Sequence, residues 1–272
     1  MQRIRSLARA AMRASARDET AATAARSALV LAPHPDDETL GCGATIMRKL
    51  AAGTPVTVVV LTDGRHSHPS LGPDALAALR HQEMTEAGRR LGLPPDGVRW
   101  GGFADGGLTA HEDEVATLIE KLIGELSPDE IYTTCAAEPH PDHAALGRAA
   151  RRAVLATTRA SGSANRLPAS AVRLLEYPVW LWGSWPLRRG DRLPSTVDAA
   201  RRVLTRNAIS VRAEQYSAGK LHALAAHASQ LHRPADVSAD QPWPTLPPPV
   251  LAAAADKAEL FFPFHGREGV LG

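Results

Sequence analysis

The 272-residue chain is 44% hydrophobic and sets 31 Lys and Arg against 29 Asp and Glu, a formal charge of +2. That composition supports a large core in one domain or two small ones, and its scattered charge excludes a nucleic-acid surface. Two cysteines exclude a disulfide framework and fit a reducing cytoplasm, and no apolar run is long enough to span a bilayer.

Residues 1–27 carry Arg3, Arg5, Arg9, Arg13, Arg17 and Arg26 with only Asp18 and Glu19 in opposition. They read as a solvated basic helix or tail, because no apolar segment and cleavage site follow. Residues 27–33 are a short apolar run, expected as a buried strand. A helix follows over 39–52, stopped by Gly53-Thr54-Pro55. Residues 56–62, rich in β-branched side chains, read as a second buried parallel strand. A polar loop over 63–73 leads to a helix over 74–91, and 98–103 is a weaker strand. Residues 110–126 place Val115, Leu118, Leu122 and Leu126 on one helical face. A strand over 130–134, a helix over 144–157 and a strand over 172–180 complete the regular part.

This rhythm predicts an α/β fold: an open, mostly parallel sheet with helices on both faces. The last third is irregular. Residues 180–198 hold three of the five tryptophans, 211–231 reads as a helix, 235–249 as a Pro-rich loop, and 259–264 as a terminal apolar element. The expected organisation is a basic helix or tail over 1–27 before one domain over 28–272, its core at 28–180 and a cap region at 181–272.

Two clusters carry chemistry. His34-Pro35-Asp36-Asp37-Glu38 follows the first buried strand, and His140-Pro141-Asp142-His143 follows the strand at 130–134. In an open parallel sheet, ligands bind beyond the carboxyl ends of strands, where both clusters and the loop at Asp63 fall. His34 and Asp37, three apart, can share a face of a first helical turn, and His143 supplies a third donor for one divalent ion. Asp36 then remains free to take a proton from water at the ion. A protonated His140 could serve the developing oxyanion or the leaving amine, oriented by Asp142. Either cluster alone reads as a turn with a helix cap; two at matching positions point to a site. Gly41-Cys42-Gly43 lacks the third glycine of a dinucleotide loop and reads as close packing, with Cys42 a small buried residue.

In order and spacing, these residues resemble the PIG-L, or LmbE-like, metal-dependent deacetylases. The resemblance rests on the two clusters, Gly41 and Gly43, Leu61-Thr62-Asp63-Gly64, Arg80 with Glu83, Asp105-Gly106, and the later His227-Ala228-Ser229-Gln230. It implies a Rossmann-like fold that binds zinc and hydrolyses the N-acetyl amide of an amino sugar. It implies His34, Asp37 and His143 as metal ligands, Asp36 as general base, and His140 as oxyanion stabiliser and acid beside Asp142. Arg80 and Asp105 fall where relatives contact sugar hydroxyls, although Arg80 could equally form an exposed salt bridge with Glu83 or Glu86, and Asp105 could be a turn residue. Some relatives carry a tyrosine just before the second cluster, where this chain has Glu138-Pro139.

The implied substrate is a small N-acetyl amino sugar or glycoconjugate, with homo-oligomerisation left open. A His/His/Asp set takes Fe2+ as well as Zn2+. An amidase on a thiol–sugar conjugate would use the same residues, as would deacylation of a longer acyl chain; a metal-stabilised sugar-binding module would have no need of Asp36. The tryptophans near 180–185 read as core or interface packing ahead of a sugar-facing surface.

Overall fold

The computed structural model describes residues 2–160, 172–184, 208–235 and 237–266. In chain order the elements are α1 (Gln2–Ser15), β1 (Arg17–Asp18), α2 (Thr20–Ala24), β2 (Ala28–Ala32), α3 (Asp37–Ala51) and β3 (Val56–Thr62). Next come α4 (Pro73–Leu91), β4 (Val98–Phe103), a 3-10 turn (Leu108–His111), α5 (Glu112–Leu126), β5 (Glu130–Thr134) and α6 (Pro141–Ala160). The remainder is β6 (Arg173–Tyr177), α7 (Leu181–Ser184), β7 (Ile209–Arg212), α8 (Ser217–Leu224), α9 (Ala228–Leu231), α10 (Pro248–Ala254) and β8 (Ala258–Pro263).

The strands form one sheet in the order β1-β7-β8-β6-β5-β2-β3-β4. β4, β3, β2, β5 and β6 run parallel, as the β-branched runs predict. β8 is antiparallel to both β6 and β7. Residues of β2 alternate between two apolar cores: Ala28, Val30 and Ala32 pack with Ile46 and Met84 on one face, Leu29 and Leu31 with Ile119 and Val154 on the other. Burial on both faces explains why this strand is apolar at every position.

The strand order also creates a crevice. The chain leaves β2 for β3 and β4, then returns to β5 on β2's other side, so the loops after β2 and β5 diverge at a topological switch point. Both His/Asp clusters sit there.

Two expectations change, and a third falls partly outside the described residues. Residues 211–231 are not one helix: Ile209 and Val211 extend in β7 between β1 and β8, a turn follows, and the helical part is split into α8 and α9. The basic α1 is not merely solvated, because Met12 is fully buried against a cluster with Trp182, Leu260 and Phe262, while Arg9 and Arg13 reach Asp256. Of the Trp-rich stretch, Trp180 and Trp182 are described, and 185–198 lies outside the described residues. No described helix is long and apolar enough to cross a membrane.

α3 is held from the C-terminal part of the chain. Gly41 lies under the ring of Tyr177 and Gly43 against the stem of Lys220, where any Cβ would collide. Lys220 Nζ donates to Leu40 O at 2.9 Å and to Glu259 Oε1 at 2.8 Å. Glu259 in turn accepts the N–H groups of Ala44 and Thr45, both at 2.8 Å, and the Thr45 hydroxyl at 2.6 Å. Both charged groups are buried, so removing one leaves the other without its counter-charge. Lys220→Met should therefore lower unfolding free energy by about 3–5 kcal/mol in a urea titration. A midpoint unchanged from the parent would show that the pair adds nothing to stability.

Candidate active site

The first cluster is a strand-to-helix turn. His34 follows β2 and Asp37 opens α3, which puts residues three apart on one side of the first turn. The second is built the same way: α6 begins at Pro141 rather than at 144, so Asp142 and His143 lie in its first turn and not in a loop.

Asp37 joins the two clusters. Its Oδ2 lies 3.4 Å from His34 Nδ1 and 3.2 Å from His143 Nε2, and it accepts the backbone N–H of His34 at 3.1 Å. A tetrahedral zinc with bonds of ~2.1 Å has donor–donor edges of about 3.4 Å, so these separations fit a shared ion. His143 is fully buried, yet neither ring nitrogen makes a hydrogen bond. Such an orphaned buried acceptor is what a cation would satisfy. Burial pushes the Asp37 carboxyl up, but His143 and His34 outweigh it and hold it well below the usual carboxylate range.

His34 Nε2 points away from Asp37, to Asp105 Oδ1 and Asp142 Oδ2, each at 3.2 Å. A carboxylate behind a ligand imidazole fixes its tautomer and orientation. Asp142 also accepts the N–H groups of Gly106 at 2.8 Å and Leu108 at 3.1 Å. The expected Asp142–His140 pair is therefore not formed: the start of α6 at Pro141 turns Asp142 toward the 3-10 turn and His34. His140 stands 4.9 Å from the rings of both His34 and His143. Burial and those two imidazoles lower its pKa to about 4, which makes it neutral near pH 7 rather than protonated as expected. Its ring also comes within reach of a shared ion, since donor atoms of His34, His140 and His143 lie within 4.8 Å of one another.

Asp36 is held in an unusual backbone conformation, φ 125° and ψ −28°. L-residues there are strained and persist only when their surroundings over-determine them. The surroundings are visible. Asp36 N–H donates to Glu38 Oε2 at 3.1 Å. Arg80 Nη2 donates to Pro35 O at 2.5 Å and lies 3.4 Å from Asp36 Oδ2. Arg80 Nη1 reaches Gly64 O at 3.3 Å, and a Cβ at Gly64 would strike the guanidinium. Burial lifts the Asp36 pKa to about 7, against the pull of Arg80.

Arg80 is thus buried beside the site, and the exposed-salt-bridge alternative falls away: Glu86 pairs with Arg89 and Arg90 instead. Glu83 accepts both the N–H and the hydroxyl of Ser229 at 2.7 Å, tying the second half of the Arg80/Glu83 motif to the His227–Gln230 element. His227, fully buried, has Nε2 3.6 Å from Glu38 Oε1, behind Asp36. Asp105 is no simple turn residue, since its second oxygen accepts the N–H of His66 at 2.8 Å.

These groups border a cavity of about 490 Å³. His34, Asp36, Asp37, Arg80, Asp105 and His140 line it, with His66, Ser67, Trp180, Gln230, Pro244, Thr245 and Leu246. Asp142 and His143 are fully buried behind them. None of the last seven is assigned to the site from sequence, although the tryptophans near 180–185 are weighed there as a sugar-facing surface. Gln230 had a signal in its motif, and His66 and Ser67 follow the flagged Asp63-Gly64 loop, whereas Pro244, Thr245 and Leu246 come from a Pro-rich stretch with no chemical pattern.

Residues 29–154 match the family model described as PIG-L: GlcNAc-PI de-N-acetylase. A probable N-acetyl-alpha-D-glucosaminyl L-malate deacetylase 2 of Bacillus cereus is 36% identical over 137 residues, 47% of this chain and 61% of that one. A 1D-myo-inositol 2-acetamido-2-deoxy-alpha-D-glucopyranoside deacetylase of Kineococcus radiotolerans is 30% identical over 185 residues, 54% of this chain and 49% of that one. The chain thus spans less than two thirds of the length of either relative. In fold, it resembles the solved N,N'-diacetylchitobiose deacetylase of Pyrococcus horikoshii, with a TM-score of 0.61, 23% identity, and 89% and 85% of the two chains covered.

Proposed function

We propose, from the premise that this chain belongs to the PIG-L family through residues 29–154, that it is a metal-dependent N-deacetylase of an N-acetylglucosaminyl conjugate. The observation that carries this reading is Asp37 meeting histidines from two distant clusters, with a second carboxylate, Asp36, beside it and facing the cavity.

His34 Nδ1, Asp37 Oδ2 and His143 Nε2 would hold the ion, with Asp37 preferred to His140 as third donor because it lies against both other ligands and brings negative charge. The ion, Zn2+ or Fe2+, would polarise the amide carbonyl and make nearby water more acidic. Asp36, buried beside Asp37 at the cavity wall, takes the proton of the attacking water. His140, neutral, offers one N–H to the oxygen that gains negative charge. The proton held by Asp36 is then available to the departing amine. Asp142 and Asp105 keep His34 oriented through Nε2. Arg80 braces the turn that carries Asp36 and, with Asp105, meets sugar hydroxyls from the cavity wall.

The test is protein loaded with Zn2+, or with Fe2+ under anaerobic conditions, on N-acetylglucosaminyl conjugates of malate, inositol, a thiol and a neutral alkyl alcohol. Free amine and acetate should appear in equal amounts from at least one of them. No amine from any conjugate with either metal would overturn the assignment.

A further inference from the structure

Glu138 stands in the segment between β5 and the second cluster, buried, and does no chemistry in the reading above. Its carboxylate accepts the N–H of Val179 at 2.6 Å through one oxygen and the N–H of Leu181 at 2.9 Å through the other. A buried carboxylate that grips two amides flanking one residue fixes that residue's position. The residue is Trp180. The segment divides its aromatic side chains: Trp182 and Leu181 enter the apolar cluster under α1, while Trp180, only partly buried, lines the cavity. Its ring lies 6.2 Å from that of His140 at an interplanar angle of 28°, one edge of the aromatic wall that ends at the candidate metal ligands. Core packing therefore accounts for Trp182, whereas Trp180 packs against the main core and also lines the cavity.

An indole presented to a cavity beside polar groups fits a ligand that is apolar on one face and hydroxylated at its edge. A pyranose ring has that character: axial C–H groups form its faces, and its hydroxyls radiate outward. Polar side chains for those hydroxyls, Ser67, Asp105, Gln230 and Thr245, border the same cavity. We propose that Trp180, clamped by Glu138, is the specificity-determining platform on which the sugar ring of the substrate stacks. The inference rests on the N-deacetylase reading and adds the side chain that holds the sugar ring.

The experiment compares Trp180→Phe and Trp180→Leu in metal-loaded protein, using an N-acetylglucosaminyl glycoside and an acyclic N-acetyl amine. Stacking predicts that Trp180→Leu raises KM for the glycoside about tenfold, with kcat within about threefold. Trp180→Phe should restore most of the loss, and the acyclic amide should respond to neither change. Equal KM values in the Leu and Phe variants would overturn the proposal, as would a fall in kcat with KM unmoved. Tryptophan emission gives an independent readout: added N-acetylglucosamine should change it saturably in the parent and not in Trp180→Phe, and an identical response in both would refute a ring on Trp180. Absence of amine release by the parent enzyme sinks the deacetylase reading, and with it the role assigned to Trp180. Release by the parent with unaltered KM in Trp180→Leu sinks only the platform.

Discussion

Asp36→Asn should lower kcat by about 10²–10⁴-fold while the metal stays bound. The substitution removes the proton acceptor and the charge facing Arg80, whose guanidinium keeps the carbonyls of Pro35 and Gly64. Asn keeps the side-chain volume, and the strained backbone at residue 36 remains braced by Glu38 and Arg80. Asp37, His34 and His143 are untouched, so metal content measured by elemental analysis should match the parent. The pH profile adds a second check. Burial holds the Asp36 pKa near 7 before a cation is present. A bound cation favours the carboxylate, so kcat/KM in the parent should rise with pH through a limb at or below about 7. That limb should vanish in Asp36→Asn. Unchanged hydrolysis would remove Asp36 from the reaction, and a metal-stabilised binding module would gain ground. Full loss of metal would instead mark Asp36 as a ligand.

His143→Ala should lose metal and activity together. The side chain is fully buried, its ring nitrogens have no hydrogen-bond partner, and Nε2 sits 3.2 Å from Asp37. Outer-shell changes at metal sites cost 10–100-fold in affinity, so loss of a direct donor should exceed about a hundredfold. His140→Ala is the contrast: it should keep the metal and lose rate. If the metal instead leaves with His140 and stays with Ala at 143, the third donor is His140 and the assignment of His143 is wrong.

The contrast between these histidines shows what could be read from the chain alone. Spacing within a turn is local, so the pairing of His34 with Asp37 was visible in the sequence, as was the parallel sheet in its β-branched runs. Asp142 was harder. Its neighbours in sequence are His140 and His143, but its partners are the amides of Gly106 and Leu108 and the far nitrogen of His34. Where α6 starts decides this, and Pro141 moves the start forward by three residues from the apolar pattern. Arg80 gave no sign of burial, because an Arg on an amphipathic helix looks the same whether its partners are Glu86 or the carbonyls of Pro35 and Gly64. The β7 segment was misread because four residues of strand run directly into helical spacing, and only the edges of β1 and β8 make Ile209 and Val211 extended. Contacts of this kind are long-range, and periodicity carries no trace of them.

The grip of Lys220 and Glu259 on Leu40, Ala44 and Thr45 makes the first turns of α3 depend on β8, with Glu259 215 positions beyond Ala44 in the chain. α3 has other supports, Ile46 in the core beside β2 and Lys49 on Glu130, but the clasp at its first turns closes only when β8 is in place. A protease nick between 224 and 258 that frees β8 should therefore lower metal occupancy without removing any proposed ligand.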